Sequence, residues 1–234
     1  TDYKAHIKSF ETLIKKADDQ CERTINYIKN HNEAAIYDRD KNLKIVLNKN
    51  EFRDIYSFCV TVDNFNEFAA KAEKLSFIKL QNGTIAISID DLRVYSDYFD
   101  SPLYFLHYLK QRKIATQIKN LNLNDELDHL GMYIKHNLYS ITMKDFEATS
   151  IIHMNGYRED IDNYFISLYS NQISYPKPRQ EIPSKMNEII EFLDKHDVVN
   201  KIYLSNFLLD FSADAKDQFA DRDRKSTRLN SSHT

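Results

Sequence analysis

Tryptophan is absent, and the 234 residues include only 3 glycines and 4 prolines. So few chain-reversing residues argue against a turn-rich sandwich or barrel and for helices joined by short polar loops. No apolar run approaches the roughly 18 residues needed to cross a bilayer, and no charged-then-apolar leader opens the chain. The cytoplasm is therefore the expected compartment. Cysteine occurs twice, at Cys21 and Cys59, without the spacing of a disulfide framework or a zinc site. Both fall in apolar patterns and read as buried free thiols. The scarcity of glycine excludes a Walker-type phosphate loop, and neither a Gly-flanked serine nor a nucleophilic cysteine motif is present. An excess of positive charge is missing too. The net charge of −3 and pI of about 6.2 lack the whole-chain footprint of a nucleic-acid binder, although a local basic groove survives such averaging.

What is present suits a packed protein. Hydrophobic residues make up 42% and charged residues 29%, enough apolar side chain for a core and too little net charge for disorder. The length allows one large domain or two small ones.

The opening segment carries Ile7, Phe10, Ile14, Ala17, Cys21, Ile25 and Ile28 at steps of three and four. These form one apolar stripe on a helix of about 25 residues, ended by Asn30-His31-Asn32. Ala34–Asp38 and Leu43–Asn48 then flank a polar turn, Arg39-Asp40-Lys41-Asn42, and predict a hairpin. Ile55–Val62 is β-branched and aromatic enough for a central strand covered on both faces. Asn64–Leu75 reads as a helix and Thr84–Ile89 as a buried strand, followed by a short helix through Val94 and Phe99. From Ser101-Pro102, a cap followed by Pro at the first helical position, the pattern is helical. Further helices are expected at Asn124–His136, Arg158–Tyr169, Ser184–His196 and Val199–Ala220. Pro176, Pro178 and Pro183 punctuate Asn171–Pro183, the expected mobile connection. The predicted fold is α/β, a mixed sheet with an N-terminal packing helix, followed by a mainly α-helical region. Its expected divisions are residues 1–92, 93–223 and a tail at 224–234.

The most chemical-looking segment is Asp125-Glu126-Leu127-Asp128-His129 with His136. At about 100° per residue Asp125, His129 and His136 share a stripe, an arrangement open to a metal. Leu127, Leu130, Ile134 and Leu138 take the opposite stripe, so a solvated polar face is the favoured reading, with acids at the start and His at the end as the helix dipole prefers. His107 reads as a packed, partner-satisfied histidine rather than a base. Asp63, Asp90 and Asp91 end strands, where both sites and caps occur. The aromatic stretch Tyr95–Tyr108 has the helical spacing of a core more than the layout of a base-stacking platform.

One family resemblance is carried by Ala17-Asp18-Asp19-Gln20-Cys21-Glu22-Arg23-Thr24-Ile25-Asn26-Tyr27-Ile28 followed by the strands at 34–62. It resembles the post-catalytic half of a restriction-endonuclease-like domain of the PD-(D/E)XK and nuclease-related type, in which a Gln-bearing helix follows the Glu-Xaa-Lys strand. The run Ile87–Leu92, with Ser101-Pro102 and Phe105–Leu109, is similar to the accessory region of bacterial proteins with such domains. The resemblance implies an auxiliary active-site role for Gln20 and nucleic-acid backbone contacts for Lys16 and Arg23. It also implies a Mg²⁺-dependent nuclease as the parent, acting on DNA, with the metal activating water for in-line attack. The chain departs from the family in having no Pro-Asp followed by Glu-Xaa-Lys. His6-Ile7-Lys8 is helical in pattern and lacks the acid, so the metal ligands are expected before Thr1, no metal is expected on this chain, and the chain alone is expected to be inactive. Residues 224–234 resemble the peptide obtained when sequencing-adapter DNA is read as coding sequence; the plainer reading is a solvated basic tail. The alternative function is a non-enzymatic interaction module, binding a protein partner through the aromatic and Leu-rich surface of the helical half.

Overall fold

The computed structural model describes residues 3–62, 80, 81, 83–118, 120–144, 152–170 and 173–231. The helix expected at Asn64–Leu75, and Asp63 before it, lie outside the described residues. The chain divides into two compact units, Thr1–Asp90 and Asp91–Thr234. An N-terminal helix and small sheets are followed by a mainly helical region, so the fold is mixed α/β and then α.

In the first unit, helix α1 (Tyr3–Asn30) buries Ile14, Asp18 and Ile25 along the stripe read from the sequence. It lies against strand β3 (Phe58–Thr61), where the Cys59 thiol points at the Ile14 carbonyl at 3.8 Å and the Cys21 thiol at the Phe58 carbonyl at 3.8 Å. Both cysteines are free. Burial raises both thiol pKa values, that of Cys59 to about 12, so neither is a ready thiolate. Asp18 accepts the Gln81 N–H at 2.8 Å and ties α1 to the segment before strand β4 (Ile85–Ser88).

Strands β1 (Glu33–Tyr37) and β2 (Leu43–Asn48) form the expected antiparallel hairpin. Asp38 closes the turn, accepting the N–H groups of Asp40 and Asn42, each at 2.9 Å, with Lys41 at φ 64°. Strands β3 and β4 pair in parallel. Among the described residues the hairpin does not join them, so one continuous mixed sheet is replaced by separate two-stranded pairs. Only β4 is buried along its length. Strand β3 buries Cys59 and Thr61, while Val60 is 43% exposed, because alternate side chains face opposite ways and α1 covers one face.

Helix α2 (Ile89–Tyr98) carries the chain into the second unit and is followed by α3 (Pro102–Thr116), capped by Ser101, which accepts the Tyr104 N–H. Strand β5 (Leu121–Leu123) pairs in parallel with β6 (Ile152–Met154), two short strands the sequence pattern does not signal. Helices α4 (Glu126–His136), α5 (Tyr139–Thr142), α6 (Glu159–Tyr169) and α7 (Ser184–Lys195) follow. The helix expected over Val199–Ala220 is two, α8 (Lys201–Leu209) and α9 (Ala213–Ser231). Ser212 breaks it by capping α9 through the Ala215 N–H. Helix α9 runs on through 224–231, where the sequence shows no apolar period. Leu103, Met186, Ile190, Leu193 and Leu209 form a core between α3, α7 and α8. Within the proline-rich segment, residues 177–180 are held by contacts with the helices. Tyr98 donates to the Pro178 carbonyl at 2.8 Å, Lys177 lies over the Tyr98 ring, and the Gln180 amide donates to the Tyr133 carbonyl.

Candidate functional site

The structure does not gather Asp125, His129 and His136. Asp125 is the N-cap of α4, accepting the Leu127 N–H at 2.9 Å and bonding the Arg158 guanidinium at 2.6 Å. His129 is buried against the Tyr139 hydroxyl at 3.2 Å, and His136 stands exposed, 3.2 Å from the Tyr157 hydroxyl. Among the described residues no three His, Cys, Asp or Glu side chains could hold a metal ion. The solvated face expected here is also corrected, since Asp125, Glu126, Asp128 and His129 are all buried. Helix α4 is enclosed by neighbouring elements, and its acids are compensated by cations distant in sequence. Arg158 forks onto Asp162 at 2.7 and 3.0 Å while reaching Asp125, and its backbone N–H serves Asp128 at 3.0 Å. Arg112 and Glu126, both fully buried, make a two-pronged pair at 2.9 Å for each bond. Tyr95 donates to the same carboxylate at 2.8 Å and contacts Tyr108 hydroxyl to hydroxyl at 2.5 Å. The aromatic stretch is thus core. Burial and the adjacent carboxylate keep both phenols protonated.

His107 is buried with a partner on each ring nitrogen, as read from the sequence. Asp210 lies 3.2 Å from Nε2 and the Tyr133 hydroxyl 2.8 Å from Nδ1. Burial lowers its pKa, so the ring is neutral. An ionised carboxylate only accepts, which puts the proton on Nε2 and leaves Nδ1 to receive the Tyr133 O–H. Burial alone would raise the Asp210 carboxyl, but its bonds to His107 and Lys110 outweigh that and lower it. Lys216 sits nearby, its Nζ donating to Asn137 Oδ1 at 2.8 Å. Sequence reading missed it because Asp214-Ala215-Lys216-Asp217 looks like a solvated charge run.

Lys16, Gln20 and Arg23 share a stripe of α1, and all three are exposed. They lie on the face turned away from the buried stripe of Ile14, Asp18 and Ile25, because steps of four and three from Lys16 keep them together and opposite.

The remaining feature is apolar. Helix α8 turns Ser205 and Leu209 inward, both fully buried, and leaves Ile202, Tyr203, Leu204 and Phe207 exposed, the last 54% so. Val199 before the helix is 84% exposed, and Phe192 on α7 is exposed as well. A helix apolar on every side belongs in an interior. Here half of it faces solvent. No helix of the described residues is long and apolar enough to cross a membrane. No protein-family model, curated protein or solved structure matches the chain.

Proposed function

We propose that the helical unit is a non-enzymatic protein-interaction module whose docking surface is the outer side of α8. The observation that carries this is the inversion of α8, which hides a serine and presents two aromatic and two aliphatic side chains. Contiguous exposed apolar surface of this kind marks partner sites, and Tyr and Phe supply contact area at low entropic cost. The complementary element is an apolar helix stripe of another protein, read through anchors three and four residues apart. A photo-crosslinking residue at position 207, introduced in the producing cell, should give one discrete adduct. Adding Tyr203→Asp should abolish it while stability stays within about 0.5 kcal/mol, since the side chain is exposed. No adduct, or one indifferent to Tyr203→Asp, sinks the proposal.

A second reading keeps the kinship with nuclease-related proteins. What favours it is α1 seated on β3, with Lys16, Gln20 and Arg23 together on its open face. On this reading the chain contacts the DNA backbone without cleaving it, and Mg²⁺ belongs to the parent's chemistry. Lys16→Glu with Arg23→Glu should weaken duplex binding by roughly tenfold at low salt. Mg²⁺-dependent cleavage by the chain itself, or unchanged binding by the variant, would remove it.

A further inference from the structure

Between α4, α6, the proline-rich segment and the start of α9 lies an open cleft of about 930 Å³. Its lining includes His136, Asn137, Tyr157, Arg179, Ser212 and Lys216. Lys216 is only 3% exposed, yet it is one of the residues that line the cleft. It donates to a neutral amide oxygen, that of Asn137, and not to a carboxylate. Asp210, whose field reaches Lys216, is already engaged by His107 and Lys110. A lysine serving only as an anchor for α9 would be expected to own a carboxylate, since burying an ammonium without one is costly. Asn137 is itself held for the task. It stands at φ 48°, an uncommon conformation for a side-chain-bearing residue, and its amide nitrogen donates to the Phe211 carbonyl at 2.8 Å, fixing the oxygen toward Lys216.

We propose that this cleft binds a small aldehyde or ketone, with the Lys216 amine as the group that condenses with it. The nitrogen lone pair attacks the carbonyl carbon, a C–N bond forms, and the carbonyl oxygen leaves as water with the two protons of the amine. The product is an imine, and no oxidant or reductant is consumed. Chemistry of this type needs a neutral amine. Burial pushes the Lys216 ammonium down to about 8, with Asp210 opposing, so a substantial share is unprotonated under mildly basic conditions.

The test uses the full wild-type chain with acetaldehyde and cyanoborohydride at neutral pH, and peptide mass spectrometry reads ethylation at every lysine. Lys216 should react at least roughly tenfold faster than exposed lysines such as Lys15 and Lys185, because more of its amine is free. Its rate should saturate with aldehyde concentration, as a bound complex requires, while theirs rises linearly. In urea the preference should vanish. Reaction at Lys216 no faster than at the exposed lysines, a linear dependence there, or a preference that survives urea would each overturn the proposal.

Discussion

Replacing Glu126 with Gln is expected to lower the unfolding free energy by roughly 3–5 kcal/mol, the usual cost of stranding one partner of a buried ion pair. The substitution barely changes volume, so packing is not at issue. It removes the charge that the fully buried Arg112 guanidinium meets in two bonds and weakens the acceptor that serves Tyr95. Both side chains are closed to solvent, so bulk water has no access to the site. Urea titration followed by far-ultraviolet circular dichroism gives the number directly. The double variant Glu126→Leu with Arg112→Met should lose less than the single one, because removing both charges removes the desolvation cost as well. A single-variant loss below about 1 kcal/mol would show that the pair is not closed to water as the structure has it.

Gly131→Ala should also destabilise, against the grain of helix propensity. In the middle of α4, alanine is favoured over glycine by about 1 kcal/mol. Yet a Cβ at Gly131 would sit 2.0 Å from the Tyr157 carbonyl oxygen and 2.5 Å from its carbon. Those are backbone atoms, which cannot rotate aside, so the segment leading into α6 must move. Arg158, with its bonds to Asp125, Asp128 and Asp162, would move with it. The steric term wins, and a net loss of roughly 2–3 kcal/mol is expected by the same urea titration. A neutral or stabilising result would mean that the close approach of α4 to Tyr157 is wrong.

These two positions also mark where sequence reading stops. The stripe of α1, the Asp38 turn and the Ser101-Pro102 start are local signals, each complete within a few residues, and each element forms where the pattern puts it. The α4 segment is different. Its acids look like a solvated face because the groups that compensate them, Arg112 and Arg158, lie 14 and 33 residues from Glu126 and Asp125. Periodicity carries no information about a counter-ion that arrives from another element. The break between α8 and α9 falls at Ser212, a single capping hydroxyl inside a run that otherwise reads as one helix. The outward set of α8 was legible as apolar residues, and the amine of Lys216 was legible as a charge. That the first faces solvent and Lys216 lines a cleft depends on packing partners, which no local pattern encodes.

The hairpin of the first unit has a bearing on how the protein must be handled. Strands β1 and β2 pair only with each other among the described residues, and Leu43, Ile45 and Val46 are exposed along β2. Such a ribbon offers its outer N–H and C=O groups as a template for any extended chain that drifts past, including another molecule's ribbon. Lys41, Lys44 and Lys49, the second of them paired with Asp38 at 3.0 Å, put charge on or beside the hairpin, which makes dry pairing with a second copy costly. Concentrated salt screens those charges, leaving three oily side chains and an open rim to find each other.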